Sequence, residues 1–265
     1  MVNKHKTEYD IKNYPVPQRF NTVVKANDLI QKSRFNLSTQ QQKIVLFIIS
    51  QIERTDEEFK LYTFKITEFC KLCGIEPKGD NYNFLKEQIK KICDKSLYIL
   101  DENGIETLYR WIDKPFFDKR KGTIQIKLDE QMKPYLLQLK ERFTEYELIY
   151  TLNFKSKYSI RLYEYLKSIH FDKMKEYTQY FEIEHFQAIF NSEYTTFKSF
   201  HTRVLQPAYK EINEFSDIHF EYELIKEGKK VKSILITIQP KDTLEKMRQT
   251  LDNEKMLDAG IKNEW

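Results

Sequence analysis

The chain has 265 residues, 40% hydrophobic and 32% charged, which excludes wholesale disorder and leaves room for one large domain or two ordinary ones. Its 44 basic and 40 acidic residues give a net charge of +4, less basic than many nucleic-acid binders. The sequence contains neither a membrane-length apolar run nor an apolar signal segment at its start, so we expect a cytoplasmic protein with no membrane partner.

The first half of the chain predicts the element order of a winged helix-turn-helix domain. Ser38 and Gln41 have the spacing of a capping box, which opens a helix with a broad apolar face. The elements predicted next are a strand at Leu61–Ile66, helices at 67–74 and 81–96, and strands at 97–100, 105–112 and 123–128. Asp129–Leu139 is predicted to be a further helix that Pro134 kinks or breaks.

The same order of elements begins again at Ser156. The predicted elements are a helix ending near Ile169, a strand at 180–183, helices at 184–190 and 195–215, and hairpin strands at 218–225 and 231–238. We therefore predict an α+β protein with two tandem winged helix-turn-helix domains, 22–145 and 146–240. An N-terminal arm (1–21) and a charged tail (241–265) that packs weakly or frays complete the predicted organisation.

The long helix of the second copy, 195–215, predicts two contrasting faces. One face is apolar and is expected to be core, with Phe197, Phe200, Val204, Ala208, Ile212 and Phe215. The opposite face holds hydroxyl, amide and cationic side chains without any acid, namely Thr195, Lys198, Ser199, Thr202, Arg203, Gln206, Lys210 and Asn213. Such side chains hydrogen-bond base edges and phosphates in a major groove. Pro207 should kink or divide the helix.

The hairpin after this helix has a lysine-rich tip suited to contacts with a nucleic-acid backbone. Its tip, 226–232, contains one acid and four lysines, of which we single out Lys229, Lys230 and Lys232. A polar helix face or a lysine-rich turn is often only solvated. Their adjacency in a winged-helix order favours a DNA-binding site.

The corresponding helix of the first copy is less suited to DNA, because Glu87 and Asp94 share its outer face. We expect this domain to read fewer bases and to contribute phosphate contacts from Lys86, Lys90 and Lys91. It could also serve as an interaction surface.

The sequence offers little support for metal binding or catalysis. Cys70 and Cys73 form a single CxxC, and with Cys93 they fit core thiols better than the alternative, a zinc site, because there is no second CxxC. Phosphate-loop, dinucleotide and nucleophile-elbow motifs are absent, as is the His-x-His of nicking initiators. We therefore predict a protein that is not an enzyme, without catalytic residues, metal or cofactor.

Several segments resemble theta-type plasmid replication initiators, the Rep proteins that bind iterons. The resemblance covers about residues 22 to 240 in order and rests on Val24–Ile30, Leu37–Ser38, Gln42–Ile44, Ser156–Leu166, Phe197–Phe200, Val204–Asn213 and Lys229–Val231. It implies tandem winged-helix domains, binding to directly repeated sites in double-stranded origin DNA, and recruitment of the host initiator and helicase. It also implies a monomer–dimer equilibrium in which dimers, joined through the N-terminal domain, repress the protein's own gene.

Two other functions remain open from the sequence. A winged-helix transcriptional regulator without a replication role would share the same DNA interface. A nicking initiator would be an enzyme that cleaves a strand through a tyrosine, which the missing His-x-His disfavours.

Overall fold

The computed structural model describes residues 16–75, 80–101, 103–170 and 175–259. The predicted turn at Pro77–Gly79 lies outside the described residues. The helices are α1 (Asn27–Lys32), α2 (Thr39–Ile49), α3 (Ile66–Leu72), α4 (Asn81–Cys93), α5 (Lys133–Leu136), α6 (Ile149–Leu152), α7 (Lys157–Ile169), α8 (Ile183–Ile189), α9 (Phe197–Phe200), α10 (Gln206–Phe215) and α11 (Thr243–Asp258). Two 3₁₀ turns (Pro17–Phe20 and Glu130–Met132) and a π-helical turn (His201–Leu205) supplement them.

The described strands form four small antiparallel sheets. The strands are β1 (Thr22–Ala26), β2 (Ser33–Arg34), β3 (Tyr62–Lys65), β4 (Ser96–Leu100), β5 (Glu106–Arg110), β6 (Ile112–Asp118), β7 (Thr123–Leu128), β8 (Phe143–Glu147), β9 (Tyr177–Glu182), β10 (Ile218–Glu227) and β11 (Lys230–Pro240). The sheet orders are β1-β8, β2-β4-β5, β3-β7-β6 and β10-β11-β9.

The order of strands in the sheets shows which elements of the two copies are equivalent. In each copy the strand before the helix pair is hydrogen-bonded to the last strand of the hairpin that follows the pair, β3 to β7 and β9 to β11. The equivalent units are therefore β3-α3-α4-β6-β7 in the first copy and β9-α8-α9-α10-β10-β11 in the second. This arrangement is the winged helix-turn-helix plan, and it confirms the predicted fold class.

The first copy contains an additional hairpin. Because residues 105–112 are predicted to be one strand, the sequence does not separate this hairpin from the wing. This stretch is in fact two strands, β5 and β6, which separate at the fully buried Trp111. The β4-β5 hairpin pairs with β2 in a sheet of its own, so the wing of the first domain is the β6-β7 hairpin. Strands β1 and β8, which pair along their whole length, are additional elements; the predicted boundary at residue 145 falls inside β8.

Local sequence signals account for how several helices begin and end. Ser38 accepts from the backbone N–H of Gln41, whose side chain accepts from the N–H of Ser38, so the expected capping box opens α2. Gly74 follows α3 with φ +67°, the left-handed conformation expected of a C-cap glycine.

The break expected at Pro134 is present, but the helix predicted at Asp129–Leu139 is shorter than expected. It is a 3₁₀ turn followed by the single turn α5, because Pro134 has no N–H and its ring clashes with the carbonyl four residues back. The prediction for the tail is wrong. The tail does not fray, since α11 has 16 residues and buries Leu257 and Asn253. The apolar residues Leu244, Met247 and Leu251 of that tail face solvent.

Buried polar groups hold β1 and β8 against α7. The Lys25 ammonium on β1 lies 2.6 Å from the Glu164 carboxylate on α7, and both side chains are almost fully buried. The Tyr146 hydroxyl donates to the same carboxylate at 2.5 Å. Burial lowers the pKa of Lys25, and Glu164 opposes that shift. A desolvated charge network therefore fixes α7 to the first sheet.

Candidate nucleic-acid interface

The long helix of the second domain stays helical through Pro207. The backbone is right-handed helical from Phe200 to Gln206, and the N–H of Gln206 donates to the carbonyl of His201, five residues back. This π-helical turn comes directly before Pro207, whose ring cannot follow an ordinary α-helical turn without a clash. The expected interruption is thus a π-helical turn, which lets α9 and α10 continue as one helix.

The two predicted faces of this helix are present through Lys210. The apolar set is buried except for Phe197, which is half-buried, and Lys198, Thr202, Arg203, Gln206 and Lys210 are exposed on the other side. Within the described part of the chain, no hydrogen bond or ion pair engages the side chains of those exposed residues. Ser199 is half-buried and its hydroxyl accepts from Thr196 at 3.0 Å. The exposed set is therefore available to a ligand.

Asn213 does not belong to this face, contrary to the prediction. Its side-chain amide donates to the carbonyl of Phe220 at 3.0 Å, and its side-chain oxygen accepts from the N–H of Phe220 at 2.8 Å. The amide thus holds the end of α10 on the first strand of the wing. Helix periodicity places Asn213 on the outer face, but β10 packs over the end of α10 and covers it.

An aromatic cluster fixes the wing of the second domain against the helix. The His201 ring lies 3.0 Å from the Tyr222 hydroxyl on β10, and the Tyr209 hydroxyl donates to the Glu221 carboxylate at 2.9 Å. The Tyr209 and Tyr222 rings pack edge to face at 5.4 Å. The wing and the exposed helix face are therefore held as one surface.

The tip of that wing is cationic and exposed. Lys229, Lys230 and Lys232 are all exposed, and Gly228 turns the chain with φ +62°. Compact ammonium groups on a hairpin tip suit phosphate contacts, which position a protein on a duplex without reading its sequence.

The lysines predicted in the first domain differ in their surroundings. Lys86 is half-buried with its ammonium 5.4 Å from the centre of the Phe117 ring. Lys90 forms an exposed ion pair with Glu87 at 2.8 Å, and this contact lowers the pKa of Glu87. Lys91 is exposed beside them. Of these three lysines, only Lys91 is exposed and has no ion pair with a described residue.

The cationic tip of the first wing was not predicted from the sequence. Lys119, Arg120 and Lys121 are exposed in the turn between β6 and β7, and the Asp118 carboxylate accepts from the N–H groups of Arg120 and Lys121. The sequence does contain a signal for this tip, namely three consecutive cations before Gly122. Its meaning depends on the sheet order, which identifies the β6-β7 hairpin as the wing. Each domain therefore pairs a helix with a basic wing.

The cysteines and Arg161 have structural surroundings. Cys70 and Cys73 are buried, and burial raises the pKa of Cys73 to about 12. In the described ranges, no group of three His, Cys, Asp or Glu residues could hold a metal ion.

Arg161 donates to the carbonyls of Ser33 in the first domain and Ile189 in the second, which fits the expected interdomain role. Among the described helices, none has both the length and the apolar composition of a membrane span.

Two helix-turn-helix units with basic wings define a tandem winged-helix DNA-binding protein. The family model described as Initiator Replication protein, WH1 matches residues 22–167, and Initiator Rep protein, WH2 matches 182–238. The chain belongs to this family of replication initiator proteins.

Individual relatives agree with this assignment. A replication initiation protein of Escherichia coli is 24% identical over 227 residues, which cover 82% of this chain and 69% of the relative. The crystal structure of the Pi initiator protein in complex with iteron DNA superposes with a TM-score of 0.70 at 16% identity. That match covers 84% of this chain and 99% of the Pi chain, and it shows that the two share a fold.

Proposed function

We propose that this protein binds directly repeated iterons in the double-stranded DNA of a plasmid origin and thereby initiates theta-type replication. The observation that carries the proposal is the acid-free exposed face from Lys198 to Lys210, fixed beside a lysine-tipped wing. Membership of the initiator family and the shared fold with an initiator crystallised on iteron DNA support the same function.

The geometry assigns different roles to the two domains. The α9-α10 helix enters a major groove, where Arg203 and Gln206 reach base edges while Lys198 and Lys210 contact flanking phosphates. Lys91 and the first wing, 119–121, add backbone contacts from the other domain. Two modules in tandem occupy successive major grooves, so we expect a site of roughly 20 bp repeated in direct orientation.

Two assays test this function. In gel shifts at moderate salt, the protein should bind a short direct repeat from the DNA flanking its gene better than random DNA of equal length. A minimal plasmid carrying only the gene and this flank should replicate. Repeat binding without replication would instead identify a transcriptional regulator, and the absence of preferred binding would contradict the proposal.

The second wing should contribute affinity without specificity. Replacing Lys229 and Lys230 together by Ala should weaken binding to all sequences alike. It should also reduce the slope of log K against log salt by about 0.9 for each phosphate that the variant no longer neutralises. The control is Lys255→Ala, an exposed lysine on α11. An unchanged salt slope in the double variant would remove the wing from the interface.

We also propose that the β4-β5 hairpin is the surface on which two copies form the dimer. Tyr98 and Leu108 are opposite each other in register, and with Leu100 and Ile105 they are exposed by 42% to 60%. In the described sheet, β5 pairs with β4 alone and leaves one edge open. An apolar face beside an open edge favours pairing with a second copy.

A charge on this face should separate the dimer. Leu108→Asp should shift sedimentation at micromolar concentration to that of a monomer, because a dimer would bury the new carboxylate. The matched control Leu244→Asp places the same charge on α11, where Leu244 is 56% exposed. If Leu244→Asp separated the dimer and Leu108→Asp did not, the dimer interface would lie on α11. Autorepression by the dimer and recruitment of host initiator and helicase are proposed on family membership alone.

A further inference from the structure

The two ends of the described chain meet on the first domain. Arg19 lies before the first matched family region and α11 lies after the second, so neither belongs to the regions that the family models cover. Both reach the carboxyl end of α3, the first helix of the helix-turn-helix unit. The residues predicted to form an arm and a weakly packed tail thus form a contact.

Arg19 is fully buried and holds this contact together. Its guanidinium donates to the carbonyls of Leu72 at 3.0 Å and Lys71 at 2.8 Å, at the end of α3. It also donates to the carboxylates of Glu254 and Asp258 on α11, both at 2.9 Å. Free carbonyls at a helix end carry partial negative charge, so one cation satisfies both the helix end and the carboxylates.

Gly74 lets α11 approach the same helix end closely. A Cβ on Gly74 would lie 2.5 Å from the carbonyl oxygen of Leu257 and 2.9 Å from its Cα, both backbone atoms. Any residue with a side chain here would therefore have to displace α11. Leu257 itself is 2% exposed, so α11 packs closely against the end of α3.

One turn before Leu257, α11 is also attached to the second domain and to the end of α6. The Asn253 side chain is fully buried and donates to the carbonyl of Phe215, the last residue of α10, at 2.8 Å. Asn153 donates to the carbonyl of Asn253 at 3.4 Å. One helix thus contacts α3 of the first domain and the end of the DNA-reading helix of the second.

We propose that α11 is a strap that fixes the orientation of the two winged-helix domains relative to each other. Domains joined by modest interfaces move by default, so a helix bonded to both restricts that motion. A fixed orientation sets the spacing between the two DNA-contacting surfaces. It also lowers the entropy cost of engaging the second surface once the first is bound.

The test uses two glycines with similar backbone conformation. Gly74→Ala introduces both a left-handed alanine and the clash with Leu257. Gly104→Ala introduces only the left-handed alanine, since Gly104 has φ +78° and nothing within 4 Å of its Cβ position. Each is made in a full-length chain with Cys93→Ser and spin labels on cysteines placed at the exposed positions Glu57 and Glu184, one in each domain. Dilution with unlabelled protein removes distances between copies.

Distances between the labels, measured by double electron–electron resonance without DNA, decide the proposal. We expect one narrow distribution for the parent and for Gly104→Ala, and a broad one for Gly74→Ala. Narrow distributions in all three proteins, or equal broadening in both variants, would overturn the strap. If Gly74→Ala does not fold, the double variant Glu254→Gln with Asp258→Asn, which keeps side-chain size, is judged by the same outcomes.

A DNA readout rests on the proposed function, whereas the distance readout does not. With the full direct repeat, Gly74→Ala should bind roughly tenfold more weakly than Gly104→Ala, while both bind equally to the part of the site that the second domain reads. A parent protein that binds no repeat would contradict the proposed function without affecting the strap. Equal affinities of the two variants for the full repeat would contradict the strap alone.

Discussion

Replacing Arg203 by Ala should weaken binding to the preferred repeat by about 1–3 kcal/mol and relax the sequence preference at one base pair. Arg203 is exposed on the acid-free face of the α9-α10 helix, and no described contact engages its guanidinium. A guanidinium binds the two acceptors on a guanine edge, an arrangement that alanine cannot reproduce. Affinities for a complete set of single-base variants of the repeat measure both effects.

The matched control is Arg248→Ala, which removes an exposed arginine from α11. It should leave affinity and base preference unchanged. The wing double variant at Lys229 and Lys230 provides the opposite comparison, because it should lower affinity at every sequence. If Arg203→Ala weakened all sequences equally, the division between a reading helix and a positioning wing would be wrong.

Glu164→Gln should lower the free energy of unfolding by about 3–5 kcal/mol, since it leaves the Lys25 ammonium buried without its carboxylate. Glutamine keeps the shape and can still accept from Tyr146, so the loss isolates the charge. Urea denaturation at neutral pH measures it. The loss of stability should become smaller as the pH rises towards the ordinary lysine pKa of about 10.4. Burial lowers the pKa of Lys25 in the folded protein, so Lys25 loses its proton there at a lower pH than in the unfolded chain. Once Lys25 is neutral in both states, no buried charge is left unpaired.

Glu87→Gln is the matched control for this substitution. Glu87 also accepts from a lysine, Lys90 at 2.8 Å, but both side chains are about half exposed. Water screens the attraction between two such exposed groups and solvates each of them, so urea denaturation should detect no change in the free energy of unfolding. A similar loss in both variants would mean that burial of the Glu164 pair is not the cause.

Periodicity and local end signals were sufficient to predict the repeated plan. The capping box at Ser38, the left-handed Gly74 and the apolar face from Phe200 to Phe215 depend on residues near each other in the chain. Their physical causes, namely unsatisfied helix ends and one-sided burial, are visible in the sequence. The exposed set around Arg203 followed from the same periodicity.

Contacts between distant residues were beyond such reasoning. The pairing of β1 with β8, the separation of β4-β5 from the wing, and the seat of α11 against Gly74 each join segments far apart in sequence. Asn213 was misplaced because β10 packs over the end of α10, a contact that helix periodicity does not reveal. The first wing at 119–121 was overlooked because sheet order alone identifies which hairpin it is.

The sequence by itself determined that this protein has two winged helix-turn-helix units and which helix face of the second unit is free of acids. Burial of one face and capping of helix ends act over a few residues, so they leave a readable pattern. The tertiary structure decided which hairpins are wings, how Lys25 and Glu164 are buried between β1 and α7, and that Arg19 and α11 are both held on α3. Those features depend on hydrogen bonding and desolvation between remote segments, for which a single sequence has no local signal.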